Sequence, residues 1–514
     1  MSNYSPLIAE QATNKMKAAY IATVIACAAS ASAQELPLVN SDDLQALISL
    51  DELRSGAQQL QDFAYAYPDR NRVFGGQGHN DTVNFLAEVL EETGYYDVEI
   101  QPFIELYSGG DSSLSVNGEA VNQTLLTYTP SGSINSSIVA VNNLGCEAAD
   151  FPPEVADNIA LISRGECTFA IKSTNAAAAG ALGAIVYNNV EGSLAGTLGG
   201  IGEYVPTVGT DLASGEALLA ALQNGTELVA ELEVNAILEN RTTYNVIAET
   251  KGGDHNNVLA LGAHTDSVEA GPGINDDGSG TIGILNVAIG LTNFSITNAV
   301  RFCFWSAEEF GLLGSTYYVS QLNETAEELA KVRAYLNFDM IASPNYAYLI
   351  YDGDGSAFNL TGPSGSAEIE ALFEDYYTAA GKTYNATAFD GRSDYGPFLD
   401  VGIPAGGIFT GAEEPKTEEG QEIWGGEAEL ALDFNYHEAG DNIFNLALDA
   451  FWLNTKLIAH SVATYAESFD SLPQPTSMTK RSAHLSKVKR LAYNGGHGSH
   501  GSHSCNSKHD AAAR

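Results

Sequence analysis

From residue 243 to about 470, short apolar runs alternate with stretches of helical period. That alternation restricts the chain to a sheet with helices on both faces. Residues 258–261, 300–305, 334–338 and 348–351 read as strands; 280–291, 317–332, 367–380 and 447–469 read as helices. In open α/β sheets, function collects just beyond the carboxyl ends of the strands. The first strand runs into Gly262-Ala263-His264-Thr265-Asp266, the second into Ser306-Ala307-Glu308-Glu309, the third into Asp339. A Gly/Pro-rich loop after His264 leads to Asn275-Asp276-Asp277-Gly278, which opens a helix; Tyr436-His437-Glu438 comes far along the chain.

Taken singly, a histidine or an acidic pair says little. The signal is the set: His and carboxylates at successive strand ends of one sheet. Clustered carboxylates repel one another and need a compensating cation. Mixed His and carboxylate ligands suit zinc.

Ahead of this block, residues 41–105 read as helical and then extended. Leu44, Leu47, Leu50 and Leu53 recur at helical spacing, a second helix starts at Val83 and ends near Gly94, and 98–100 is a strand. Residues 125–235 differ in texture. Short strands at 137–141, 159–162 and 184–187 alternate with an Ala-rich helix near 174–181, punctuated by glycines, as in a compact inserted domain. The flanking segments, 34–124 and 236–472, then form one domain. Residues 473–514 carry Pro473, Pro475, Lys480-Arg481 and a Gly/Ser/His repeat at 495–503 with no apolar pattern. This basic, His-rich tail is expected to be disordered, and so without a catalytic role.

At 514 residues the chain is too long for one ordinary core. Its 44% hydrophobic and 17% charged content suits a folded protein. A net charge of −42 argues against nucleic acid and anionic membranes as partners. Residues 1–33 read as an export signal: Lys15 and Lys17 precede an Ala-rich run, and Ala31-Ser32-Ala33 offers a cleavage site. The signal reads best from Met16. Export gives meaning to the five cysteines. Cys27 leaves with the signal, Cys505 lies in the tail, and Cys303 sits in an apolar run as a buried thiol. Cys146 and Cys167 remain as the disulfide, contributing about 3 kcal/mol. Asn-x-Ser/Thr sites at Asn80, Asn122, Asn135, Asn224, Asn240, Asn293, Asn323, Asn359 and Asn385 fit a glycosylated surface.

The segments 262–268, 271–280 and 306–315, with Asn337-Phe338-Asp339-Met340-Ile341, resemble the co-catalytic two-zinc aminopeptidases, the family of secreted leucine-type aminopeptidases and aminopeptidase Y. Asp390-Gly391-Arg392-Ser393-Asp394-Tyr395-Gly396 and Tyr436-His437 extend the likeness over roughly residues 40–470. The inserted block resembles a protease-associated domain, through Gly145-Cys146 and Ile159-Ala160-Leu161-Ile162-Ser163-Arg164-Gly165-Glu166-Cys167. The resemblance implies a mixed central sheet and two zinc ions bridged by Asp276. His264 and Asp339 complete one site; Glu309 and His437 complete the other. It implies Glu308 as general base, Asp266 as the residue orienting His264, and Tyr436 as a donor to the oxyanion. Asp390 and Arg392 fall in the substrate cleft. Where some bacterial members flank the Tyr-His pair with cysteines, this chain has Phe434 and Gly440-Asp441, so the loop bearing His437 lacks that staple.

The expected protein is a monomeric, exported aminopeptidase that removes N-terminal, Leu-like residues from peptides and proteins with free N-termini. It is expected outside the cell or, alternatively, in a vacuole. A carboxypeptidase or dipeptidase on the same scaffold would need a basic pocket for a substrate carboxylate, and the body is poor in Lys and Arg. A single-zinc cyclase is disfavoured by the intact two-metal ligand set, and a catalytically dead scaffold by the absence of any lost ligand.

Overall fold

A computed structural model of the protein describes residues 36–474. The export signal and the tail beyond 474 lie outside them. The described chain forms two compact units, one from 36–105 with 241–474, the other from Leu106–Asn240. The backbone passes between them inside two long strands, Tyr96–Val116 and Val229–Thr250, so no change of composition marks either crossing.

In the first unit the strands are β1 (Val229–Thr250), β2 (Asp254–His264), β3 (Asn298–Trp305), β4 (Val332–Phe338), β5 (Leu349–Tyr351), β6 (Asn385–Thr387) and β7 (Ala405–Phe409). They order as β6-β5-β7-β4-β2-β3-β1. The central β7, β4, β2 and β3 are parallel, with β1 antiparallel on β3 and β5 antiparallel on β7. This is the mixed sheet expected. The apolar runs are continuous because both faces are covered. Leu259, Leu261, Val300, Phe302, Phe304, Ala334 and Leu336 face one core, while Ala260, Cys303, Trp305 and Tyr335 face the other. Helices α1 (Leu50–Tyr65), α2 (Gly278–Leu291), α3 (Ser366–Ala379) and α4 (Leu448–Glu467) supply the first core. α2 is buried almost all round. Its Gly280 is required by close approach: a Cβ there would stand 1.8 Å from the Phe338 carbonyl oxygen.

Two expected helices are divided. The period through Leu44 to Leu53 is split between Ser41–Ala46 and α1, because the Ser49 hydroxyl caps Glu52 N and starts a new helix. Leu44 and Leu53 are buried and Leu47 and Leu50 exposed. Residues 317–332 divide into Leu313–Leu322 and Ala326–Lys331, with Thr325 capping the second.

In the second unit Val229–Thr250 is followed in strand order by Gly132–Ala140, Ile159–Ser163, Gly183–Tyr187, Thr207–Thr210 and Thr124–Leu125. Helices Phe169–Ala178 and Leu212–Gln223 accompany it. Strand residues again alternate between two cores, Ile159, Leu161 and Ile185 against Ala160, Ile162 and Val186. Cys146 and Cys167 form the disulfide, and Cys303 of the first unit is a buried free thiol.

Candidate metal centre

Three parallel strands end side by side, and each delivers a side chain to one buried place. β2 ends at His264; β3 leads to Glu308 and Glu309; β4 leads to Asp339. Asp277 caps α2 by accepting from Gly280 N, at 2.8 Å, which sets Asp276 ahead of the helix. The Asp277 carboxylate also accepts from Met340 N and His264 N, tying the ends of β2 and β4 to the helix start. The Asp276–Asp277 peptide is cis.

Asp276 stands between two imidazoles. Its Oδ1 lies 3.1 Å from His264 Nε2 and its Oδ2 3.3 Å from His437 Nε2. On one side Asp339 Oδ1 is 3.6 Å from His264 Nε2. On the other, Glu309 Oε2 is 2.9 Å from His437 Nε2. Each trio, His264–Asp276–Asp339 and Asp276–Glu309–His437, places one ligand atom per residue within 4.8 Å of the others. Glu308 Oε2 sits 3.8 Å from His264 Nε2, and Asp266 Oδ1 lies 3.6 Å from the opposite ring nitrogen, Nδ1. Asp266 Oδ1 also accepts from Glu308 N. The structure therefore brings together His264, Asp266, Asp276, Glu308, Glu309, Asp339 and His437, all named from the sequence.

Their charges cannot coexist unaided. Burial pushes Glu308 well above the usual carboxylate range, with Asp339 and Glu309 adding to it. Glu309 rises to about 7, through burial and the charge of Asp276. Against the cost of burial, the surrounding carboxylates hold His264 well above its usual value and His437 at about 11. Asp339 Oδ1 and Glu309 Oε1 are buried with no hydrogen-bond partner. Unpaired buried carboxylate oxygens in groups that face imidazole nitrogens are what a metal ion satisfies, and bound cations invert this electrostatic logic. The His/carboxylate donor set fits zinc.

Tyr436, Arg392 and Asp390, expected to border the substrate, lie along one connected set of contacts beside this cluster. The Tyr436 ring stacks on that of His437 with centroids 3.8 Å apart, and its hydroxyl accepts from Arg392 Nη2 at 3.2 Å. Burial, then the charges of Asp276 and Glu309, hold Tyr436 well above its usual value, so the hydroxyl keeps its proton. Arg392 is paired bidentately with Glu413, at 3.0 and 3.2 Å. Asp390 accepts from Arg392 N and from the Tyr395 hydroxyl. Of the sequon asparagines, Asn80 and Asn293 are half-buried; the other seven are exposed.

Several supporting residues carried no separate signal. Asp441 accepts from Asn275 N and Asp276 N, and Asn445 donates to both Asp441 and Asp433. Asn275 donates to Asp433. This buried polar network, not a disulfide, fastens the loop that bears His437. Ser393 donates to Asp339 Oδ2 at 2.6 Å, and Ser315 donates to Asp394. Arg72, fully buried, donates to the carbonyls of Thr265, Pro272 and Gly273. It fixes the loop between His264 and Asp276 from more than 190 residues away. Such long-range partners leave no spacing pattern, though Ser393 and Asp394 stand inside a motif already singled out.

Fold and donor set thus define an α/β protein built around a cluster of His and carboxylate groups that fits a metal. Comparison with known proteins gives the class a family. The pattern of peptidase family M28 matches residues 245–462, and that of the PA domain matches 134–218. The chain is 59% identical over 463 residues to probable leucine aminopeptidase 2 of Aspergillus fumigatus, covering 89% of this chain and 92% of that protein. It is 54% identical over 447 residues to leucine aminopeptidase 2 of Arthroderma otae, covering 87% and 90%. Among solved structures, an aminopeptidase from Aneurinibacillus sp. strain AM-1 aligns with a TM-score of 0.67 at 27% identity, over 85% of this chain and 98% of that one. The chain belongs to peptidase family M28 and carries an inserted PA domain.

Proposed function

We propose that this protein is a two-zinc aminopeptidase that hydrolyses the first peptide bond of peptides and proteins bearing an apolar, Leu-like N-terminal residue. The observation that carries the reading is the division of Asp276, with one carboxylate oxygen toward His264 and the other toward His437. His264, Asp276 and Asp339 would hold one zinc; Asp276, Glu309 and His437 would hold the second. When bound, the ions supply Lewis acidity at the scissile carbonyl and lower the pKa of water.

The protein groups do the rest. Glu308 takes a proton from the attacking water and returns it to the leaving nitrogen as the C–N bond breaks. Asp266 holds the Glu308 backbone and steadies the His264 ring through its Nδ1 edge. Tyr436 donates a hydrogen bond from its hydroxyl to the oxygen that gains charge in the transition state. The cluster's carboxylates supply a counter-charge for a free α-amino group. Asp390 and Arg392 would border the substrate, and the Arg392 guanidinium is already paired with Glu413, so it is not free to receive a substrate carboxylate. That observation favours amino- over carboxypeptidase action.

The Ala-rich N-terminus and the exposed sequons support export of a glycosylated protein. Among the described residues no helix is long and apolar enough to cross a membrane. The test is release of chromophore from leucyl anilide and from a C-terminally blocked leucyl peptide, with and without chelator. Turnover of both, lost with metal and restored by zinc, is expected. Activity only on free C-termini would overturn the reading.

A further inference from the structure

A second cluster of carboxylates lies outside the active centre, just past the end of β5. Asp352, Asp354 and Glu370 each place one oxygen within 4.8 Å of one from each of the others. Asp352 directly follows β5, Asp354 is in the adjoining loop, and Glu370 projects from the first turns of α3. Asp352 is fully buried, Glu370 is 7% exposed and Asp354 opens to solvent.

The loop is built around these groups. Asp352 Oδ2 accepts from Ala357 N and Phe358 N at 3.0 and 2.8 Å. Glu370 Oε2 accepts from Gly353 N and Asp354 N, each at 2.9 Å. Asp354 Oδ1 accepts from Ser356 N at 2.7 Å. In every case backbone amides fix one oxygen of the carboxylate, and Asp352 Oδ1 makes no hydrogen bond. Gly353 is required by the packing, since a Cβ there would stand 2.2 Å from the Ser366 carbonyl oxygen at the start of α3.

One oxygen makes the case. Asp352 Oδ1 is wholly buried and has no partner, while the carboxylate it belongs to lies within hydrogen-bonding reach of that of Asp354. A buried carboxylate oxygen without a donor is costly, and more so in a group that lies beside other carboxylates. None of the ion pairs among the described residues brings a Lys or Arg to these three groups. Burial, and after it the charges of Asp354 and Asp352, raises Glu370 to about 7.

We propose that Asp352, Asp354 and Glu370 form a calcium site, separate from the catalytic metals, that anchors the loop after β5 to α3. The donors are all oxygen, which suits a hard cation rather than zinc. Carboxylates at alternate positions of a glycine-bearing loop, completed by an acid from a helix, suit the irregular coordination of calcium better than the strict octahedron of magnesium. Solvent-facing Asp354 supplies the way in. Tyr351, one residue before the site, packs its ring on Phe389 and Tyr395, the neighbours of Asp390, so an ordered loop also braces that edge of the cleft.

The experiment is calcium binding to the full-length, zinc-loaded protein by flow dialysis with radioactive calcium, with zinc content and melting temperature measured on the same samples. The expected result is one saturable calcium per chain and a melting temperature that rises with calcium. Asp352→Asn abolishes both effects, and Asp354→Asn weakens binding by about tenfold or more, with zinc content unchanged. Should Asp352→Asn fail to fold, Glu370→Gln keeps the acceptor for the Gly353 and Asp354 amides while removing the charge, and it must lose calcium. No saturable binding at millimolar calcium, equal binding in the variants and the parent, or magnesium binding as tightly as calcium would each overturn the proposal.

Discussion

Glu308 and Glu309 are neighbours in sequence, and the structure gives them different surroundings. Glu309 Oε2 meets His437, whereas Glu308 Oε2 faces His264 from a distance. Glu308→Gln is therefore expected to lower turnover of a leucyl anilide by about 10²- to 10⁴-fold with zinc content retained, because an amide cannot accept the proton of the attacking water. Glu309→Gln should instead lower zinc content. Metal analysis and kinetics on both variants check this, and equal zinc loss in the two would show the roles to be misassigned. Asp441 is a further residue-scale case. Its removal as Asp441→Ala strands the buried amides of Asn275 and Asp276, at about 1–3 kcal/mol, and should weaken zinc binding without any contact to the metal. Urea unfolding and competition with a zinc indicator measure the two effects.

At the scale of elements, the centre depends on how closely α2 approaches the end of β4. With Phe338 O occupying the place of a Cβ, Gly280→Ala must push the helix start away from Asp339 and with it the cap residue Asp277. A destabilisation of about 1–3 kcal/mol is expected, together with lower zinc affinity, measurable by thermal unfolding with and without zinc. Much of this level was legible beforehand. The strands at 258–261, 300–305 and 334–338 were readable because strands covered on both faces are apolar without alternation, and their ends named the donors. β7 was not singled out, since the Gly-rich Ala405–Phe409 offers small side chains that bury little on their own. The divided helices at Leu47 and Glu324 escaped because the capping hydroxyls of Ser49 and Thr325 compete with an apolar period that continues past them. Arg72, Asp441 and Asn445 escaped because polar networks closed over long sequence separations follow no period.

On the scale of the whole molecule, the two units are expected to differ in what they need. The Cys146–Cys167 bridge lies wholly in the second unit and closes a loop with a sequence separation of 21. Replacing both cysteines by serine should cost that unit about 3 kcal/mol, seen as a lower-melting transition, while the turnover of a small anilide stays near that of the parent. A large loss of anilide turnover with the first unit still folded would contradict this. The first unit is expected to depend on bound cations instead. Acid should release zinc, because protons compete for His264 and His437, which bind metal only when neutral. The central claim is that two zinc ions share Asp276. The most direct measurement is elemental analysis during stepwise zinc return to metal-depleted protein, with leucyl anilide turnover followed in parallel. A plateau at two zinc per chain is expected, and an Asp276→Asn variant should hold neither ion tightly. A plateau at one zinc with full activity would contradict it.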